Sequence, residues 1–220
     1  MRFRVVSFVL LSSVLVACNG PAATPETTVP ADLPPAEVVG ELLRAVEEGR
    51  FEDAARLTDS EQAGLLALAE GADPKEVIEA LGEDPEGVAA NFWSGFAQSL
   101  DPELSLSEAS VELGDEVTEG EHHFVTADVA YPDGQHRTFY LRMEEGWQVD
   151  LMATFGHVIA ERLTPRVEAL LNSANPNAAQ VVALLNRSAP SLLLASKDPE
   201  LDPATHQSLL ALLERVTRAG

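Results

Sequence analysis

Two short turns between residues 122 and 152 constrain the fold of this chain more than any other feature of its sequence. Each turn has three residues and ends in glycine: Pro132-Asp133-Gly134 and Glu144-Glu145-Gly146. A type I turn followed by a bulge needs a positive φ at that third position, which glycine adopts without steric cost. The turns therefore predict three antiparallel strands, in a register that places Met143 opposite Trp147.

This register separates the side chains of the predicted sheet into two faces. The first turn places Tyr131 opposite Gln135, and side chains alternate between faces along each strand. The apolar face contains Val125, Ala127, Val129, Tyr131, Phe139, Leu141, Met143, Trp147, Val149 and Leu151. The other face contains Thr126, Asp128, His136, Thr138, Tyr140, Arg142, Gln148 and Asp150. We therefore expect one face to cover a core and the other to meet water.

A further strand is predicted upstream, over residues 104–113. Its apolar positions change from even to odd numbers near Glu108, and a β-bulge there would restore one apolar face. Residues 114–121 contain four acidic residues and two glycines without the spacing of a calcium-binding loop, which predicts a solvated connection. The strands together make a four-strand antiparallel meander.

The first 18 residues have the organisation of an export signal. Two arginines precede an apolar run over residues 5–16, which is too short to span a bilayer as a helix. The run ends in Leu15-Val16-Ala17-Cys18, which resembles the lipobox of bacterial lipoproteins. This resemblance implies cleavage between Ala17 and Cys18 and a diacylglyceryl group on the Cys18 thiol. Cys18 is the single cysteine of the chain, so a disulfide within the chain is excluded.

The alternative interpretation of this segment is an ordinary secretory signal whose cysteine is incidental. In the lipoprotein interpretation, residues 1–17 are the signal peptide and residues 18–35 are a lipid-bearing tether. The tether is rich in proline and small residues, which predicts a disordered coil whose ends lie roughly 20–25 Å apart. The predicted location is the extracytoplasmic side of a bacterial cell membrane, with the lipid as anchor.

The charge of the chain excludes nucleic acid as a partner. Cleavage removes Arg2 and Arg4, so the 14 basic residues become 12 against 36 acidic ones, and the formal charge changes from −22 to −24. A surface of this charge repels a phosphate backbone. The expected partners are the membrane, through the lipid on Cys18, and an envelope protein or a small apolar molecule.

Helices are predicted between the tether and the sheet. Pro34-Pro35 suits a helix start, and residues 48–57 turn at a glycine into a second helix. This pattern of helix, Gly-x-aromatic, acidic pair and Ala-Ala-x-Leu resembles the start of small exported domains of the nuclear transport factor 2-like superfamily. The resemblance implies a curved, cone-like antiparallel sheet after the helices. Tetratricopeptide-type repeats use similar patterns, but the predicted strands favour the sheet.

Three further helices have aspartate at their predicted starts. A carboxylate accepts hydrogen bonds from the first amides of a helix, and a following proline fits the first helical position. The predicted starts are Asp59 or Ser60, Asp73-Pro74 and Asp84-Pro85.

The aromatic residues of the third of these helices are candidates for ligand contact. Phe92, Trp93 and Phe96 lie within five residues of one another, and the predicted sheet adds Trp147. Core packing is the favoured interpretation of large aromatic side chains at this spacing, and ligand contact is the alternative.

Three histidines near the sheet suggest a metal site, but their geometry opposes it. His122 and His123 are adjacent and point to opposite faces of a strand, while His136 lies at the far end of a hairpin. These residues cannot share one ion, so no metal site is predicted.

Tyr140 and Asp150 form the strongest candidate catalytic pair. The register makes them cross-strand neighbours, with Asp128 nearby, and ketosteroid isomerase of the same superfamily uses a pocket tyrosine with carboxylates. Here the pair is predicted on the face that meets water, where a carboxylate stays ionised. No cofactor or hydrolase motif is present. We expect a non-enzymatic binding protein, with an isomerase- or hydrolase-like enzyme in a cone-shaped pocket as the alternative.

Helices are predicted from the end of the sheet to the end of the chain. Residues 155–172 form the first, with a break or kink at Pro165, and others start at Asn175-Pro176, Ser188 and Asp202-Pro203. This organisation gives a helix-and-sheet domain over residues 36–152 and a helical extension over 153–220. The extension either packs on the sheet domain, which is favoured, or forms a module of its own.

Overall fold

The computed structural model describes residues 33–100, 104–144, 146–173, 175–197 and 201–219. The architecture is α+β, as the sequence predicts, with helices on either side of a four-strand antiparallel sheet in the chain order. The helices before the sheet are α1 (Pro35–Glu47), α2 (Phe51–Arg56), α3 (Ser60–Glu70), α4 (Pro74–Glu83) and α5 (Pro85–Ser99). The strands are β1 (Ser110–Glu119), β2 (His122–Ala130), β3 (His136–Met143) and β4 (Trp147–Val149). The later helices are α6 (Leu151–Asn172), α7 (Ala178–Arg187), α8 (Ala189–Ala195) and α9 (Pro203–Ala219).

Proline and aspartate start the early helices at the predicted places. Pro35 is the first residue of α1. The Asp59 carboxylate caps α3 by accepting hydrogen bonds from two amides of the first turn, at 2.8 and 3.2 Å. Asp73 caps α4 by accepting from two amides as well, and Asp84 caps α5 by accepting from the Gly87 amide. Each carboxylate supplies an acceptor that the first amides of a helix otherwise lack.

The sheet is a meander in the order β1-β2-β3-β4, and the predicted register of its last three strands is confirmed. Met143 pairs with Trp147, and the Tyr131 amide donates to the Gln135 carbonyl at 2.8 Å. Gly134 has a φ of +82°, as the bulged turn requires. The second turn includes residue 145, which lies outside the described residues.

The first strand differs from its predicted position. β1 begins at Ser110 and continues to Glu119, through the segment predicted as a solvated loop. Its register shifts between Leu113 and Glu116, not near Glu108. β1 is an edge strand exposed along most of its length, so acidic residues fit on it and the alternation that marks a half-buried strand is absent.

The predicted apolar face of the sheet covers the core. Ala127, Val129, Phe139, Leu141 and Val149 are buried in one cluster with residues from α1 to α9. The face is less covered near the turn between β3 and β4, where the Met143 side chain is 49% exposed.

Leu141 tests this register, because it is fully buried opposite Val149. Leu141→Ala is expected to lower the free energy of unfolding by about 2–5 kcal/mol, since it removes buried methyl groups and leaves a cavity. Urea denaturation followed by circular dichroism measures the loss. Met143→Ala, on the same strand face but half exposed, is the matched control and should cost about 0.5 kcal/mol or less. Equal losses from the two variants would contradict the register.

The opposite face of the sheet does not meet water throughout, so that prediction is wrong. Phe124 is fully buried there with Ala153 and Leu194 in a second, smaller cluster. Arg142 and Asp150 are buried as well. This face is covered by α6 and α8, which follow the sheet in sequence. This part of the sheet is therefore buried on both faces.

Helix α6 begins earlier than predicted and has no break. It starts at Leu151, which the register had assigned to a strand, and continues through Pro165. A proline inside a helix removes one backbone hydrogen bond and crowds the preceding turn. Pro165 is exposed to solvent, and the neighbouring Thr164 hydroxyl donates to the carbonyls of Ala160 and Ser208 at 2.8 and 3.2 Å. These bonds hold the turn around the proline and tie it to α9.

The helices after the sheet pack against the rest of the protein. α6 contacts both α3 and α9, and α8 reaches β1, where Lys197 pairs with Glu119. Over the described ranges no single helix has the length and composition of a membrane span, although α7 and α8 reach both as a pair bent by 58°. Leu209, Leu212 and Val216 of α9 belong to the same cluster as the sheet. The extension therefore shares one hydrophobic core with the earlier helices and the sheet.

Candidate functional site

The predicted ligand-facing residues of α5 belong to a cluster of aromatic rings. Trp93 is 1% exposed, and its ring centre lies 5.0 Å from Phe92 and 5.3 Å from Phe96, both edge to face. The Trp93 Nε1–H donates to the Thr58 hydroxyl at 3.2 Å. This bond and the burial fit the core-packing interpretation for Trp93, because a buried indole needs an acceptor.

The cluster continues to the sheet and to α6. The Phe96 ring lies 6.1 Å from Phe155, and Phe155 lies 6.0 Å from Phe139. Phe92 and Phe96 are only partly buried. Trp147 packs against the edge of the hydrophobic core and takes no part in these ring contacts. The ligand-facing role of Phe92, Phe96 and Trp147 stays a prediction.

An arginine lies beside this cluster on the core-facing side of the sheet. Arg137 pairs with Val129 in the register, which gives it the same face as Phe139. Its guanidinium carbon is 5.1 Å from the centre of the Phe155 ring, a cation–π distance. Burial lowers the pKa of Arg137 and raises the pKa of the neighbouring Tyr131. Neither predicted face of the sheet includes Arg137, although its odd position places it with the apolar residues.

Asp150 is the centre of a buried polar network. Its carboxylate is 0% exposed and caps α6 by accepting a hydrogen bond from the Ala153 amide at 2.8 Å. It also accepts from Gln62 Nε2 of α3 at 3.0 Å and from the Ser191 hydroxyl of α8 at 2.7 Å. The network therefore joins three helices at the end of the last strand.

Arg142 and Asp59 extend this network to the surface. The Arg142 guanidinium lies 2.9 Å from the carboxylates of Asp59 and Glu144, and 3.8 Å from that of Asp150. Burial raises the pKa of Asp59, against the lowering effect of the capping amides and of Arg142. Because this pKa is raised in the folded state, the protein becomes less stable as the pH rises from the ordinary pKa of an aspartate through the raised one. The capping amides and Arg142 reduce this loss, since they stabilise the ionised form of Asp59.

Asp150, the carboxylate of the candidate catalytic pair, is engaged in this network. Asp150 and Tyr140 are neighbours, since the Asp150 amide donates to the Tyr140 carbonyl at 2.8 Å. Asp150 is buried, contrary to the prediction, and its oxygens already accept hydrogen bonds from a helix start and two side chains. Asp128 is exposed and accepts from the Thr138 hydroxyl. A general base needs a free oxygen within reach of a substrate proton, which Asp150 does not offer.

A polar cleft of about 580 Å³ lies beside this network. It is lined by the start of α3, the end of β3 and the junction of α7 and α8, and His122 and Gln148 face it. Its two arginines are occupied by acids: Arg187 makes a bidentate pair with Glu61 at 2.7 and 2.8 Å. The cleft thus offers mixed polar groups, and its three carboxylates outnumber its two guanidinium groups, so no positive charge is left over for an anionic ligand.

A smaller and more apolar groove, of about 270 Å³, lies between α3, α6 and α7. Leu68, Leu163 and Val181 are buried in its floor, and the exposed Arg166 stands at its rim beside Gly71. The four predicted ligand-facing residues line neither this groove nor the polar cleft.

The histidines stand apart, and the described residues include no group of three or more His, Cys, Asp or Glu side chains that could hold a metal ion. His122 lines the polar cleft, whereas His123 and His136 are exposed.

The predicted cleavage and lipidation residues, Ala17 and Cys18, lie outside the described part of the chain. Comparison with known proteins adds no assignment for them or for the sites above. The chain matches no family model, no curated protein and no solved structure.

Proposed function

We propose that this protein is an exported, lipid-anchored lipoprotein of the bacterial cell envelope that binds a protein partner or a small apolar ligand without catalysing a reaction. The observation that carries the proposal is Leu15-Val16-Ala17-Cys18 at the end of an export signal, in a chain with no other cysteine. Two acyl chains on Cys18 give stable anchoring, because each buried methylene contributes about 0.8 kcal/mol.

The charge of the protein supports a position clear of the membrane surface. Acidic residues outnumber basic ones by 22 in the whole chain, so an anionic lipid surface repels the folded domain. The tether that the sequence predicts lies mostly outside the described residues, and a flexible coil of its length would give roughly 20–25 Å of separation. We therefore propose that the folded domain stays clear of the headgroups, where it is free to meet partners.

The polar network supports binding rather than catalysis. Its carboxylates and Arg142 are committed to helix caps and ion pairs, and no buried side-chain oxygen or nitrogen of the described residues lacks a partner. Active sites keep perturbed, unoccupied acids or bases for the substrate. The resemblance to the nuclear transport factor 2-like superfamily is consistent with a ligand held between helices and a curved sheet.

Cys18→Ser tests the anchor. In the native host, wild-type protein is expected in the membrane fraction with a diacylglyceryl-modified N-terminal cysteine, and the variant is expected in the soluble extracytoplasmic fraction or uncleaved. Mass spectrometry of the N-terminal peptide makes the measurement. Ser12→Ala, which changes one hydroxyl within the apolar run, is the control and should leave acylation intact. An unmodified Cys18 in wild-type protein would contradict the proposal.

A further inference from the structure

Two basic residues differ from all others in the described part of the chain. The structure describes the 12 Lys and Arg side chains that follow residue 18, and ten of them form an ion pair with a carboxylate. Arg137 and Arg166 form no ion pair with any carboxylate in the described ranges. In a chain with 36 acidic residues, a cation without a carboxylate partner calls for an explanation.

The two unpaired arginines have different surroundings. Arg166 is exposed, so water solvates its charge. Arg137 is half-buried on the core-facing side of the sheet, with its guanidinium against the Phe155 ring. Taking a charge partly out of water without an opposite charge is unfavourable, and a cation–π contact offsets only part of that cost. A bound anion therefore stabilises the charge of Arg137 more than it stabilises the charge of Arg166.

The edge of the Arg137 guanidinium is open. No buried side-chain nitrogen in the described residues lacks a hydrogen-bond partner, and Arg137 makes no hydrogen bond with another described residue. Its nitrogens must therefore reach solvent. Tyr131 is its close neighbour, and burial raises the pKa of that phenol, so the hydroxyl keeps its proton and can donate. The arginine and the tyrosine together present donors beside an aromatic cluster.

We propose that Arg137 binds the carboxylate of a small apolar acid, whose apolar part packs against Phe96, a partly exposed ring of the aromatic cluster next to Phe155. A guanidinium presents parallel N–H groups that match a planar carboxylate. A phosphate dianion would need further cations and would meet stronger repulsion from a chain of charge −22. The same repulsion acts against an acidic protein surface more than against a molecule with one charge. This inference rests on the ligand-binding part of the proposed function and does not depend on the lipid anchor.

Phenylacetate is a suitable probe, and phenylacetamide is its uncharged analogue. Isothermal titration of the mature lipoprotein in a non-ionic detergent is expected to show phenylacetate binding, with phenylacetamide about tenfold weaker or worse. A pair of hydrogen bonds to a charged group supports a difference of that size. Inorganic phosphate is titrated in parallel and is expected not to compete. Competition by phosphate at equal concentration would show a general anion site and overturn the carboxylate assignment.

Arg137→Gln should weaken phenylacetate binding by about tenfold or more, whereas Arg166→Gln removes the same charge away from the cluster and should change it less than about twofold. Equal affinity in Arg137→Gln, or equal losses in both variants, would overturn the proposal. Circular dichroism checks that each variant is folded. If Arg137→Gln does not fold, Arg137→Lys replaces it: that variant keeps the charge and loses the planar fork, so unchanged affinity in it would also overturn the site. These titrations do not depend on the lipid anchor, so Cys18→Ser protein should bind phenylacetate as the wild type does.

Discussion

Asp150→Ala is expected to lower the free energy of unfolding by about 3–5 kcal/mol, because it removes one member of a buried charged network. Asp150 is 2% exposed and accepts hydrogen bonds from Ala153, Gln62 and Ser191. Alanine leaves these three donors buried without an acceptor, and each unsatisfied group costs about 1–3 kcal/mol. It also leaves the charge of Arg142 with fewer acids nearby.

Urea denaturation at neutral pH measures this loss. Asp150→Asn gives a graded comparison, since an asparagine oxygen still caps α6 while its amide nitrogen faces the donors of both Gln62 and Ser191. We expect its stability to lie between those of the wild type and the alanine variant. Asp128→Ala removes an exposed aspartate from the same sheet and should cost about 0.5 kcal/mol or less. Similar stabilities for the Asp150 and Asp128 variants would show that the network contributes nothing beyond surface charge.

The parts of the fold that the sequence predicts correctly depend on local chemistry. A glycine at position 134 and the alternation on either side of it determine how β2 pairs with β3, and both lie within a few residues of the turn. Aspartate caps are equally local, so the starts of α3, α4 and α5 are confirmed. β1 lacks such signals because it is exposed, and its predicted bounds are wrong.

The role of Asp150 could not be predicted because its partners are distant in sequence. Gln62 lies 88 residues before it and Ser191 lies 41 residues after it. Periodicity shows which face of a strand a residue occupies, but not which later helix covers that face. Arg137 is a different case, since the register alone places it beside Phe139 on the core-facing side. A charged residue at an apolar position was a signal available in the sequence.

A chain that ends at Asn172 is expected not to fold into a stable structure. It lacks α7, α8 and α9, and so exposes the side of α6 that α9 covers. Leu192, Leu209 and Leu212 are fully buried, and burying a leucine contributes about 1.5–3 kcal/mol. Ser191 and the pair between Lys197 and Glu119 are lost as well. Together these losses are comparable to the total stability of about 5–15 kcal/mol that a domain possesses, so circular dichroism should show no cooperative melting.

A point variant in α9 tests whether the extension and the sheet unfold together, without removing any part of the chain. Leu212→Ala leaves a cavity in the core beneath α9. Leu210→Ala shortens a side chain on the same helix, and that side chain is 44% exposed. Trp93 and Trp147 both lie before α6, so tryptophan fluorescence follows the early helices and the sheet and not the extension itself. All of these elements share one core. The free energy of unfolding followed by tryptophan fluorescence should therefore fall by about 2–5 kcal/mol in Leu212→Ala and stay nearly unchanged in Leu210→Ala. An unshifted transition in Leu212→Ala would mean that the extension unfolds independently, and that its packing does not stabilise the sheet on which Arg137 lies.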